Sequence, residues 1–281
     1  MAPRRRFFRA RDGLRLAALD WAGREDRTPL LCLPGLARTA RDFAALAARQ
    51  EGARRVVALD YAGHGESERP ASASRYRLQV ALRDVADAMA ALHLHRVAVL
   101  GTSFGGLLAM GLGILRPAAL AGVALNDIGP HLEPAGLDMV RDVIGRDPGF
   151  SGPEEAMRFL RDRLPPLDLD AAGWAGFTER TYARGEDGLL HPRWDVRIAG
   201  VLADGREVPE DLWPAFGALA HVPLLLVWGQ ESALLSAATV RRMRAARPDM
   251  EVVSLPGIGH APTLAAPAAM AALDRFLARL G

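Results

Sequence analysis

Apolar positions along the chain fall into short runs separated by longer stretches with helical spacing. Leu14–Asp20, Leu30–Leu33, Val56–Leu59, Val97–Leu100, Val123–Leu125, Leu224–Trp228 and Val252–Leu255 are short and dominated by aliphatic residues, and they are predicted as strands. Between them, Asp42–Arg49, Leu78–Leu92, Gly106–Leu115, Ala237–Ala246 and Leu264–Leu280 place apolar residues on one helical face. Strands alternating with helices predict an α/β fold, a mostly parallel sheet with crossover helices packed on it.

This rhythm breaks between about Pro130 and Pro214. The stretch contains Trp174, Trp194 and Trp213 and the breakers Pro148, Pro153, Pro165-Pro166 and Pro192, with helical pieces such as Glu154–Arg163 and no convincing strand. Because the strand–helix rhythm resumes cleanly afterwards, residues 130–214 are expected to form a helical lid folded over one end of a core built from 1–129 and 215–281.

Composition narrows the functional classes. Half of the 281 residues are hydrophobic, enough for a large buried core and too many for a disordered chain. No apolar run approaches the ~20 residues of a membrane-spanning helix, so a soluble protein without membrane partners is expected. All 35 basic residues are arginine, against 33 acidic ones, and they are scattered along the chain. With no basic helix or stripe, nucleic acid is not an expected partner. Arg4-Arg5-Arg6-Phe7-Phe8 looks like the start of a twin-arginine export signal, but Arg9, Arg11, Asp12 and Arg15 interrupt the apolar stretch that would follow, and a cytoplasmic location is expected. Cys32 is the sole cysteine, which leaves no intramolecular disulfide; in its apolar run it reads as a buried structural thiol. No His/Cys/Asp cluster has metal-ligand spacing, so no metal or other cofactor is expected. A homodimer is compatible with the sequence.

The sharpest chemical signal is Val97-Ala98-Val99-Leu100-Gly101-Thr102-Ser103-Phe104-Gly105-Gly106, a strand followed by Gly-x-Ser-x-Gly and a helix. A serine on a very tight strand-to-helix turn projects its hydroxyl above the sheet. Side chains two positions before and after would collide, so glycines are required there. The bare pattern arises by chance in roughly one such sequence in ten; its place between strand and helix makes it specific. A serine hydroxyl needs a base to become nucleophilic. His260, in Pro256-Gly257-Ile258-Gly259-His260-Ala261-Pro262, follows the last predicted strand and precedes the C-terminal helix, on the catalytic face of an open α/β sheet. The other six histidines have duller settings: His93 and His95 end a helix, His64 lies in a Gly-rich turn, and His131, His191 and His221 lie in or beside the insertion. An oxyanion hole is expected from two backbone N–H groups, that of Phe104 after the serine and that of Leu36 in the turn Leu33-Pro34-Gly35-Leu36 after an early strand.

With these features together, the chain resembles the α/β-hydrolase superfamily, in particular its lid-bearing esterase, lactonase and carbon–carbon hydrolase branch. The resemblance runs from the Leu33-Pro34-Gly35 loop to the Gly259-His260 loop. Asp60-Tyr61-Ala62-Gly63-His64-Gly65-Glu66-Ser67 looks like the family's Gly-rich loop, a mainly structural element, and Leu125-Asn126-Asp127-Ile128-Gly129-Pro130 looks like the strand end that leads into the lid. The resemblance also places the acid of a Ser–acid–His set after the strand before the His loop. In Trp228-Gly229-Gln230-Glu231-Ser232-Ala233-Leu234-Leu235 that position is Ala233, which accepts no hydrogen bond. Some relatives carry the acid on the strand end after the nucleophile helix instead, which implies Asp127; Glu231, or no acid at all, are the alternatives. The function implied is hydrolysis of a small carboxylic ester or lactone through an acyl-enzyme on Ser103, with that small molecule as the partner. A carbon–carbon hydrolase of ring-cleavage products is the second enzyme class, disfavoured because Ala261 stands where such relatives carry an aromatic residue. A ligand receptor with little or no turnover is the third reading, prompted by Ala233.

Overall fold

The computed structural model describes residues 2–200 and 211–281; positions 201–210 of the expected insertion lie outside the described residues. In chain order the strands are β1 (Arg4–Arg9), β2 (Arg15–Trp21), β3 (Leu30–Leu33), β4 (Val56–Asp60), β5 (Val97–Thr102), β6 (Leu120–Asn126), β7 (Tyr182–Arg184), β8 (Leu190–Pro192), β9 (Leu224–Gly229) and β10 (Glu251–Leu255). The helices are α1 (Ala44–Arg49), α2 (Leu78–Ala91), α3 (Phe104–Leu115), α4 (Pro134–Ile144), α5 (Pro153–Arg163), α6 (Ala171–Thr181), α7 (Trp213–Gly217), α8 (Ala237–Ala246) and α9 (Pro267–Ala278).

Among the described residues the main sheet has eight strands in the order β1-β2-β4-β3-β5-β6-β9-β10. β2 is antiparallel to both β1 and β4, and every pairing from β4 to β10 is parallel. Strands buried on both faces read as continuous apolar runs, and β3 shows how one run supplies two layers. Leu31 and Leu33 pack with Val85, Met89 and Leu108 of α2 and α3. Leu30 and Cys32 pack on the opposite face with Ala47 of α1 and Leu273 and Phe276 of α9. Cys32 is fully buried, and burial pushes its thiol far up from the usual range.

Two elements differ from the expectation. Arg4–Arg9, which hydrophobic patterning leaves unassigned, is the edge strand β1, paired with β2 from Arg4↔Asp20 to Arg9↔Arg15. It is nearly all exposed, so no buried face marks it: Phe7 is 49% exposed beneath the Arg15 guanidinium, and Arg6 holds Asp20 at 3.1 Å. The stretch between β6 and β9 also contains a hairpin, β7–β8, closed by Asp187-Gly188 with Gly188 at φ +81°. Its strands are three residues each, too short to show an alternation.

Between the neighbouring strands β6 and β9 the chain leaves the sheet and forms α4, α5, α6 and the hairpin. Phe150, Ala156, Leu160, Trp174 and Tyr182 make a small core of their own there. Trp194 instead packs against Ala37, Ala62 and Tyr76, and its indole N–H donates to Ile144 O at 2.8 Å. No helix among the described residues is long and apolar enough to cross a membrane.

Candidate active site

Parallel strands bring their C-terminal ends to one edge, and four of those ends converge. β5 runs into Ser103, the register pairs Thr102 with Asn126 and Asn126 with Val227, and the loop after β10 carries His260 back over this row. Ser103 sits at φ +50°, ψ −115°, a region costly for a residue with a Cβ, and its amide is held by Asn126 O at 3.0 Å. The flanking glycines are required by close approach. A Cβ on Gly105 would lie 2.0 Å from Leu33 O, and one on Gly101 would lie 2.5 Å from Gly105 O. Five non-glycine residues have positive φ among the described residues, and four of them, Ala37, Ser103, Asp127 and Leu264, lie in the loops at this edge. Backbone strain concentrated in this way is a mark of functional sites.

The three sequence-selected side chains meet here. His260 Nε2 is 2.8 Å from Ser103 Oγ, and Nδ1 is 2.7 Å from Asp127 Oδ2. The Asp127 carboxylate is fully buried, and its other oxygen accepts the Gly229 N–H at 2.9 Å. Asp127 thus leans from the end of β6 across the end of β9, held also by its own N–H to Val227 O at 2.8 Å. Glu231 is exposed, with only its backbone N–H bonded, to Ile258 O at 2.9 Å, and Ala233 is exposed as well. Neither approaches the imidazole through a hydrogen bond among the described residues.

The N–H groups of Leu36 and Phe104 make no hydrogen bond within the described residues. Phe104 opens α3, where an amide has no partner within the helix. Leu36 belongs to a turn that abuts the serine: a Cβ on Gly35 would be 3.7 Å from Ser103 Cβ. Asp60 at the end of β4, and Tyr61 and His64 of the Gly-rich loop after it, hold this turn. Tyr61 Oη donates to Pro34 O (3.0 Å), Ala37 N–H donates to His64 Nε2 (3.2 Å), and Ala40 N–H donates to Asp60 Oδ1 (2.8 Å). His64 Nδ1 faces Ala62 O at 3.0 Å, which fixes the neutral tautomer with Nε2 as acceptor, and burial pushes its pKa down to about 4. Burial pushes Asp60 up, to about 6, against its two backbone N–H bonds. Sequence reasoning treats this loop as structural and misses the contact, because Ala37 and His64 are 27 positions apart; the histidine among glycines was the available signal.

Asn126 and Asp168 were also missed. Asn126 Nδ2 donates to Pro262 O at 2.9 Å and so ties the His260 loop to β6. Asp168, between α5 and α6, accepts from Thr263 N and Oγ1, both at 2.8 Å, and from Ala266 N at 3.0 Å. The segment between β6 and β9 therefore contacts the His260 loop directly, and it also walls a cavity of about 540 Å³ onto which Ser103 and His260 open. Val140 and Val143 of α4, Leu160 of α5, Leu167, and Phe177 of α6 supply much of the apolar lining. An apolar cavity with a few convergent polar groups is the usual form of a small-molecule site. Among the described residues no group of three or more His, Cys, Asp or Glu is placed to hold a metal ion.

A family model described as the alpha/beta hydrolase family matches residues 30–273. The chain belongs to this family. It is 32% identical over 275 residues to a 3-hydroxybutyrate-oligomer hydrolase of Cupriavidus necator, covering 93% of this chain and 92% of that one. It is 26% identical over 232 residues to a 2-(acetamidomethylene)succinate hydrolase of Mesorhizobium japonicum, covering 82% and 81%. Among solved structures, an α/β hydrolase from Novosphingobium aromaticivorans superposes with a TM-score of 0.94 at 38% identity, over 99% of both chains. The protein is accordingly a hydrolase of this family with its eight-stranded, mostly parallel sheet.

Proposed function

We propose that this hydrolase cleaves small carboxylic esters through an acyl-enzyme on Ser103, with short ester oligomers of hydroxyacids as the favoured class. The observation that carries the proposal is the unbroken relay Ser103 Oγ–His260 Nε2–Nδ1–Asp127, with contacts of 2.8 and 2.7 Å. With Nδ1–H committed to Asp127, Nε2 is free to accept the serine proton. The Ser103 oxygen bonds to the carbonyl carbon while its proton passes to Nε2. As the tetrahedral intermediate collapses, the carbon–alkoxy bond breaks and Nε2 returns the proton to the departing alcohol. The N–H groups of Leu36 and Phe104 hold the oxyanion in both halves of the reaction. Water then attacks the acyl-enzyme with His260 taking its proton. As the resulting tetrahedral intermediate collapses, the bond to Ser103 Oγ breaks and Nε2 returns the proton to the serine, releasing the acid.

The 32% identical relative named for 3-hydroxybutyrate oligomers supports the hydroxyacid choice, and the apolar walls of the cavity suit short aliphatic chains. A complete relay favours turnover over a silent receptor. The segment from α4 to the β7–β8 hairpin acts in this reading as the lid that shapes the acyl and alcohol pockets. The test is hydrolysis of linear 3-hydroxybutyrate dimers and trimers, followed by acid release, together with labelling by an organophosphonate. Wild type should turn over and be labelled, and Ser103→Ala should do neither. Removing such a nucleophile costs on the order of 10⁶ in kcat in a serine protease, and equal labelling of the variant would end the proposal.

A further inference from the structure

Four arginines, Arg38, Arg41, Arg49 and Arg180, line the cavity among the described residues, with Asp42 as their one acidic neighbour in that lining. Two of the four, Arg38 and Arg49, are closely paired, and Arg41 shares Glu66 with Arg5. Arg49 is paired with Asp274, and Arg41 has Glu66 at 3.5 Å. Arg38 takes both oxygens of Asp42, through Nε and Nη2 at 2.6 Å each, and donates from Nη1 to Thr181 Oγ1 at 2.5 Å. Its guanidinium lies 3.9 Å from the Phe177 ring centroid. Arg180 reaches the same carboxylate only through Nε, at 3.2 Å from the Oδ1 that Arg38 already uses, and its side chain is 35% exposed. Its two terminal nitrogens make no hydrogen bond among the described residues. One carboxylate between two guanidiniums leaves a positive charge uncompensated where Leu167, Leu169 and Phe177 supply much of the cavity wall.

We infer that the Arg180 fork, with Arg38 beside it, is the seat for a free carboxylate on the substrate, so that the enzyme selects hydroxyacid esters that keep one acid end. The inference rests on the ester-hydrolase reading and deepens it. A guanidinium held by Nε presents its two terminal N–H groups in parallel, the geometry that takes a carboxylate in a bidentate pair. Partial burial strengthens such a pair relative to one in water. Position agrees with this role. Arg38 directly follows the Gly35–Ala37 turn and donates its own N–H to Gly35 O at 3.1 Å, so the arginine pair adjoins the turn that offers the Leu36 amide. A charged end fixed there would set which ester bond reaches Ser103, making the enzyme act at the acid terminus of a short oligomer.

The experiment compares the linear 3-hydroxybutyrate dimer as free acid with its methyl ester. Wild type should favour the free acid in kcat/KM by about 10-fold or more, the order of a charge-assisted hydrogen-bond pair. Arg180→Gln should bring that ratio close to one, mainly through KM. Arg180→Lys, which keeps the charge without the fork, should fall between. Arg244→Gln, the same charge change on the exposed face of α8, should keep the wild-type ratio. A wild-type ratio of one or below, or an unchanged ratio in Arg180→Gln, overturns the inference. If neither dimer is cleaved, the ester reading fails, and calorimetric binding of 3-hydroxybutyrate then tests the seat by itself. Binding by wild type that Arg180→Gln loses supports it, and binding that is absent or unaffected overturns it.

Discussion

Asp127→Asn isolates the proposed acid with the least disturbance to its surroundings. The asparagine is isosteric, and the structure decides how its amide must sit. The Gly229 N–H, 2.9 Å from Oδ1, needs an acceptor, so the amide oxygen stays there and the NH₂ takes the place of Oδ2. That NH₂ then faces His260 Nδ1 at the former 2.7 Å contact. Two donors cannot share the contact, so the imidazole shifts to the tautomer with Nδ1 bare and Nε2 protonated. Nε2 can no longer accept the Ser103 proton across its 2.8 Å contact. Flipping the amide restores the tautomer only by opposing its NH₂ to the Gly229 N–H, leaving a buried donor without a partner at a cost of about 1–3 kcal/mol. Both routes are expensive, and the corresponding change in a serine protease lowers kcat by about 10⁴, equivalent to about 5.5 kcal/mol of transition-state stabilisation. The assay is kcat on p-nitrophenyl acetate under saturation, with thermal unfolding to show that the fold is retained. Glu231→Gln, made beside it, should change kcat by less than about 2-fold, since that side chain is exposed and unbonded to the imidazole. A folded Asp127→Asn protein that keeps more than a tenth of wild-type kcat would refute the reasoning.

Two further outcomes follow from the same edge of the sheet. His64 is held neutral, with a folded value of about 4 below the ordinary 6.5. The unfolded chain therefore takes up a proton between those values that the native one refuses, and stability falls as pH drops through that window. Wild type should lose on the order of 2–3 kcal/mol more than His64→Gln between pH 7 and 4.5 by urea unfolding, and parallel pH dependences would refute it. Ala233→Asp should leave kcat within about 2-fold of wild type, because Nδ1 of His260 is already engaged by Asp127; a gain above 10-fold would mean that Asp127 does not serve.

What the sequence disclosed of this site tracks how local each determinant is. Ser103 is specified by neighbours within two residues, since Gly101 and Gly105 are demanded by contacts of 2.5 Å or less. His260 is specified by its place between the last strand and the last helix. Asp127 needed topology as well, the adjacency of β6 and β9. The arrangement that holds the Leu36 turn was not legible, because it joins Pro34, Ala37 and Ala40 to Tyr61, His64 and Asp60 through one bond each, and nothing in either segment alone announces the other. The Arg180–Asp42 contact spans 138 positions and is equally silent. β1 escaped for another reason: an exposed strand of RRRFFR has no buried face for a pattern to reveal.

In the proposed relay the carboxylate comes from β6 and not β9, so such a site specifies a point in space and not a position in the chain. Asn126 lies opposite Val227, so the residue after β6 and the residues closing β9 occupy one small region above the sheet edge. Asp127 reaches into it with a left-handed backbone, φ +54°, and takes its second hydrogen bond from the amide of Gly229, the last residue of β9. The end of β10 and the loop that carries His260 are tied to the segment after β9 through Gln230 N–H to Leu255 O at 3.0 Å and Glu231 N–H to Ile258 O at 2.9 Å. With the carboxylate delivered from β6, nothing at the end of β9 is left for the imidazole to demand, and Ala233 stands exposed to solvent. The segment after β9 is then free to serve another purpose. The Ala233 carbonyl closely abuts Gly136 in α4, where a Cβ would come within 2.7 Å of it, and Glu133 N–H bonds Leu234 O at 3.0 Å. The segment after β9 thus anchors α4, and Asp168, between α5 and α6, holds the far side of the His260 loop. If Asp127 is the acid, as proposed, its supply from β6 lets the cavity wall contact the imidazole loop from two sides, the support that holding Ser103, His260 and Asp127 in working geometry requires.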